Sequence, residues 1–108
     1  MPKRPAGLRL YEVRLERGRS NAEHGHFCDG VMKFDHSTPD YAGIQNVVVI
    51  STALDPVTLK ANIAETMADD ADLEVVEITK ETLATDRHAH YREDIRRRFL
   101  QFGDYPAI

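Results

Sequence analysis

Between residues 46 and 78 the chain reads as a strand, a helix and a strand in about thirty residues, the length of one βαβ unit. Asn46-Val47-Val48-Val49-Ile50-Ser51 carries β-branched side chains with no polar alternation. Such a run suits a strand covered on both faces. Asp55-Pro56 then marks a helix start, with the aspartate as N-cap and the proline at the first helical position. Val57, Leu59, Ala61, Ile63, Ala64, Met67 and Ala68 fill one half of the helical wheel. Thr58, Asn62, Glu65, Thr66 and Asp69 fill the other, so the helix is amphipathic and lies on a sheet. Leu73-Glu74-Val75-Val76-Glu77-Ile78 is the second strand, and the unit predicts two parallel strands joined by a crossover.

The flanks supply the rest of the sheet. In Tyr11-Glu12-Val13-Arg14-Leu15-Glu16 apolar and charged residues alternate, the period of a half-buried strand with Tyr11, Val13 and Leu15 inward and the charges in water. Asp29-Gly30 between two short apolar runs predicts a hairpin with a type I′ turn. That hairpin would set Phe27, Met32 and Phe34 on one face and His24, His26, Cys28, Lys33 and Asp35 on the other. Residues 35–43 read as a loop. Near the C-terminus Tyr91, Ile95, Phe99 and Phe102 form a helical stripe, with Glu93–Arg97 and Asp94–Arg98 as i,i+4 ion pairs. Thr85 or Asp86 would cap that helix. The resulting expectation is an α+β fold: a flexible tail over residues 1–7, then a single domain over 8–108. Its small mixed sheet has four or five strands, N-terminal antiparallel strands plus the βαβ unit, with two helices on one face.

Composition narrows the functional classes. The chain has 108 residues, enough for one real core, and is 42% hydrophobic and 30% charged. No apolar run approaches the roughly 20 residues of a membrane helix, and the basic start lacks the apolar core of a signal peptide. With one cysteine, Cys28, no internal disulfide forms, and a cytoplasmic setting is expected. The net charge of −4 is segregated. Residues 1–19 carry six Lys/Arg and two Asp/Glu, residues 20–86 three against thirteen, and residues 87–108 five against three. The basic ends would make a basic patch if they met in space, but the total charge argues against a dedicated nucleic-acid binder.

Four groups of residues carry chemistry worth weighing. On a hairpin strand His24, His26 and Cys28 would share a face, and with His88 or His90 they would be ligand types that zinc takes. Lys33 opposite His26 would place a cation in that site, and the spacing departs from known zinc signatures. Arg92 and Arg96 lack an acid four residues earlier and are the candidates for gripping phosphates, though no RNA-reading motif accompanies them. Glu65, Asp69, Asp70 and Asp72, with Glu74 and Glu77 on the next strand, form an acidic ridge that would mimic nucleic-acid phosphate, steer a basic protein partner or serve as ordinary solubility charge. Ser51-Thr52, at the carboxyl end of a parallel strand, is where α/β folds hold small anions. The sequence has no dinucleotide fingerprint, P-loop, nucleophile elbow or H-E-x-x-H motif.

The expectation that follows is a small binding or regulatory module acting through another protein or its own copy, with no cofactor. A homodimer packed through the sheet would cover the second face of the valine run. Tyr11, Phe27, Phe34 and Tyr41 would be its aromatic anchors if exposed. The rival expectations are a metal-dependent hydrolase or nuclease built on the His/Cys cluster, and a nucleic-acid-associated protein built on the arginines.

Overall fold

The strand that organises the sheet comes from near the N-terminus. The computed structural model describes residues 7–15, 21–37, 47–67, 73–86, 89, 92–100, 105 and 108. In chain order these hold β1 (Arg9–Leu15), α1 (Asn21–Val31), β2 (Asp35–Ser37), β3 (Val47–Thr52), α2 (Pro56–Ala64), β4 (Leu73–Ile78), α3 (Lys80–Leu83) and α4 (Arg92–Arg98). The strands form a sheet in the order β2-β3-β1-β4. β1 runs antiparallel to both β3 and β4, so those two are parallel to each other as the crossover requires. They are not neighbours, because β1 has inserted between them to make a split βαβ unit. Every bonded neighbour is thus antiparallel, and β2 adds a three-residue margin beside β3.

The helices cover both faces rather than one. Tyr11, Val13 and Leu15 of β1 pack with Val48, Ile50 and Leu73 beneath Phe27 and Val31 of α1 and Leu59 and Ile63 of α2. On the opposite face Leu10, Val47, Val49 and Ile78 pack beneath Leu83, Ile95, Phe99 and Tyr105. Phe99 and Tyr105 meet edge to face, 6.4 Å between centroids. The chain therefore supplies cover for the valine run on both faces from its own helices. Each such side chain contributes on the order of 1.5–3 kcal/mol on burial.

This layering explains why Glu12 is not in water. It stands between Val49 and Val76 in the register, under the second helical layer, and is completely buried. Arg14 Nη2 approaches its Oε1 at 3.5 Å. Alternation on β1 separates two covered faces, not a dry one from a wet one.

Residues 21–31 are the largest departure from the sequence reading: they form a helix, not a hairpin arm. Phe27, Gly30 and Val31 are its buried stripe, spaced i, i+3, i+4. Gly30 serves a close helix contact instead of a turn. A Cβ there would lie 2.6 Å from Ile63 O and 2.9 Å from Thr66 Oγ1. The Thr66 hydroxyl donates to His26 O at 2.6 Å and tightens the same crossing of α1 with the end of α2. Met32, expected on one face with Phe27 and Phe34, is 69% exposed, and the expected loop after Phe34 begins with β2.

The α2 start follows the sequence. Asp55 Oδ1 accepts from Thr58 N at 2.8 Å and Oδ2 from Thr58 Oγ1 at 2.9 Å. Those two bonds hold its carboxyl below its ordinary range. Thr79 and Thr82 form a reciprocal capping box at α3, an element absent from the sequence reading. α4 carries Glu93 and Asp94 in its first turn and three arginines in its last, matching the helix dipole.

Candidate functional site

The helical state of α1 removes the geometry on which the His/Cys cluster rested. At about 100° per residue, positions 26 and 28 stand some 200° apart round the axis, so alternate residues do not share a face as they would on a strand. His26 and Cys28 are both exposed. The side chain of His24, and all of His88 and His90, lie outside the described residues. Among the described residues no three His, Cys, Asp or Glu side chains gather closely enough to hold a metal ion.

The arginines divide. Arg92 is a clamp: its Nε donates to Leu83 O at 2.6 Å and its Nη2 to Thr85 O at 2.9 Å, tying the start of α4 to the end of α3. Both bonds turn its guanidinium toward the backbone. Arg96 pairs with Glu93 at 2.8 Å, and Arg97 pairs with Asp94. These pairs are i,i+3, one residue closer than the i,i+4 pairing expected.

The hydroxyls at the end of β3 have internal partners. Ser51 Oγ and Tyr105 OH share a buried bond of 2.7 Å, and Thr52 Oγ1 accepts from Leu54 N at 3.3 Å. Tyr11 donates to Leu54 O at 2.7 Å, and burial, the largest influence, pushes its hydroxyl above its ordinary value. Of the four expected aromatic anchors, Tyr11 and Phe27 are core, Phe34 packs half-buried against it, and Tyr41 lies outside the described residues.

Among the described residues β4 forms one margin of the sheet, bonded on one side only, to β1. Its six residues contain no proline and no lysine, the usual guards of a strand edge. Leu73 and Ile78 are buried, Val75 and Val76 half-buried, and Glu74 exposed. Register places Glu74, Val76 and Ile78 on the α3/α4 face and Leu73, Val75 and Glu77 on the α1/α2 face. Glu77 Oε1 lies 3.4 Å from Arg9 Nη2 on the neighbouring strand. The Thr82 hydroxyl donates to Glu77 O at 3.3 Å and finishes the C-terminal end of the strand.

Of the acidic ridge, Glu65 is exposed and meets Lys33 Nζ at 3.5 Å. Asp69, Asp70 and Asp72 lie outside the described residues, although in sequence they run directly into β4. The other margin, β2, is three residues long and offers little to pair with. Sequence reasoning placed β4 beside β3 and so missed that it is an edge. Nothing in the strand's own composition signals its place in the order. Among the described residues no helix is long and apolar enough to cross a membrane. Compared with models of known protein families, with curated proteins and with solved structures, the chain matches none.

Proposed function

We propose that this protein is a small binding module that takes an extended segment of a partner protein as a fifth strand along β4. That β4 is bonded on one side only among the described residues is the observation that carries the reading. Backbone N–H and C=O groups on a free edge supply affinity, and alternate side chains supply selectivity. The pattern Glu74-Val75-Val76-Glu77 asks for a partner strand with cations at both ends of an apolar pair, the order Lys-Val-Val-Lys in either direction. Each matched cross-strand pair contributes about 0.2–1 kcal/mol.

A foreign strand suits this edge better than a second copy. In antiparallel self-pairing directly opposed residues share a face, so within β4 Glu74 would meet Glu74, Val76 or Ile78 and Glu77 would meet Leu73, Val75 or Glu77, never a cation. The proposed compartment is the cytoplasm, where the exposed thiol of Cys28 stays reduced.

The test is amide exchange by NMR on the full chain with a short peptide bearing Lys-Val-Val-Lys, beside its Glu-Val-Val-Glu counterpart. The expected result is slowed exchange at β4 amides with the basic peptide alone, weakening as salt rises. Equal protection by both peptides, or none by either, would overturn the proposal. So would a sedimentation dimer that Glu74→Lys strengthens, since that would make the edge a self-interface.

A further inference from the structure

On the face away from α1 and α2, α3 and α4 splay around a cleft of about 440 Å³, lined by Lys80, Leu83, Ala84, Arg96, Leu100 and Ile108. That volume falls within the roughly 300–1,000 Å³ of small-molecule sites. Two observations specify its occupant. The floor and walls are apolar: Leu83 is buried, and Leu100 and Ile108 pack half-buried against the core cluster behind them. Among the described residues of the lining both charged side chains are cations. Lys80 is exposed and has no ion-pair partner among the described residues, and Arg96 uses one nitrogen on Glu93, leaving further donors of its five. Arg92, bonded to Leu83 O and Thr85 O, fixes the separation of the two walls, so little ordering is needed on binding.

We propose that this cleft binds a small amphiphilic carboxylate, a medium-chain fatty acid, with its chain on Leu83, Ala84, Leu100 and Ile108 and its head between Lys80 and Arg96. A neutral amphiphile gains the apolar contact without the charge, and a short carboxylate gains the charge without the contact. Only the combination uses both halves of the lining. Glu93 is bonded to Arg96 at the cationic rim, and its carboxylate is exposed, so water screens its repulsion of the head group.

The test is a titration of the isotopically labelled full chain with hexanoate, octanoate and decanoate below their aggregation thresholds, and with decanol. Saturable one-site shifts are expected at Leu83, Ala84, Leu100 and Ile108, tightening by about fourfold per added methylene until the cleft fills. Lys80→Gln with Arg96→Gln should weaken decanoate about tenfold and leave decanol unchanged, because both side chains are solvent-facing and outside the core. Ala84→Phe should fill the mouth and abolish binding of both. The proposal is overturned by an absence of saturable shifts, by shifts centred on exposed Met32 or Val57 instead, or by a double charge variant that holds decanoate as tightly as the parent. None of these readouts moves with occupancy of the β4 edge, so either proposal can fail while the other stands.

Discussion

Two glycines in one helix should respond to alanine with opposite signs. Gly25 and Gly30 both lie inside α1. In a helix interior alanine is better than glycine by about 1 kcal/mol, because glycine has more backbone freedom to lose. A Cβ at Gly25 meets nothing within 4 Å. Gly25→Ala should therefore stabilise the fold by most of that amount. At Gly30 the same gain is opposed by contact. The new carbon would sit 2.6 Å from Ile63 O, 2.9 Å from Thr66 Oγ1 and 3.2 Å from Ile63 Cα. Two of those three are backbone atoms of α2, which move only if the helix moves. Overpacking of this kind costs about 1–3 kcal/mol. Displacing Thr66 also loosens its bond to His26 O, at about 1 kcal/mol. Set against the propensity gain, the net is a loss of about 1–3 kcal/mol.

Urea unfolding followed by circular dichroism, with the parallel thermal melt, measures both. About 1 kcal/mol is worth roughly 4 °C in a domain of this size, so the two variants should bracket the parent by several degrees. Removing the Thr66 hydroxyl in the Gly30→Ala background relieves the 2.9 Å contact but not the 2.6 Å one. The double variant should recover part of the loss, less than additively. A Gly30→Ala protein that melts above the parent would refute the close crossing of α1 and α2. A Gly25→Ala protein that melts below it would refute the helix itself.

Two further substitutions test single contacts. Tyr11→Phe leaves Leu54 O without its donor and should cost about 1 kcal/mol near neutral pH. The folded-state value of this hydroxyl is raised by burial first, with Glu77 and Asp55 acting the same way and Arg9 against them. Its stabilisation is complete below the ordinary value of 10.0 and is lost as pH rises through the higher folded value. Melts on both sides of that pH should show a smaller alkaline loss in Tyr11→Phe than in the parent, and identical losses would contradict the assignment. Arg92→Ala strips two carbonyls of a charged donor and should destabilise by about 2 kcal/mol, with Arg92→Lys recovering little because one ammonium cannot reproduce the fork. An unchanged melt for Arg92→Ala would mean that the guanidinium is not a clamp.

What the sequence disclosed, and what it withheld, follow from where each signal is written. The β-branched run of β3, the Asp55-Pro56 start of α2 and the Ile95/Phe99 stripe are signals contained in their own segments, and each appears where expected. The α1 region failed because Asp29-Gly30 carries two meanings. Glycine serves a type I′ turn by accepting positive φ, and serves a helix crossing by lacking a Cβ; among the described residues only Gly7 has positive φ. The buried stripe Phe27/Gly30/Val31 was the competing signal, weakened because one of its three members is a glycine. The burial of Glu12 was illegible for a different reason. Alternation reports that two faces differ, not that one is wet, and only the placement of α3 and α4 decides the second face. For the candidate site the types were readable and the place was not: Glu74 and Glu77 stand plainly in the sequence, but strand order is a tertiary fact.

The insertion of β1 links these outcomes. Had β3 and β4 been neighbours, as the shortest reading of a βαβ unit has it, β1 would have joined at a margin and its charged residues would have kept water on one side. Placing β1 in the middle pairs it along both sides, with Leu10 opposite Ser51 and Ile78, and Val13 opposite Val48 and Val75. That arrangement makes Glu12 an interior carboxylate facing Arg14, and it displaces β4 outward to the margin. Among the described residues β4, whose ends are buried core residues and whose middle presents Glu-Val-Val-Glu, then pairs with β1 alone. The same central strand that joins both cores is what sets β4 at the margin, so the sequestered glutamate and the proposed docking margin are two consequences of one topology.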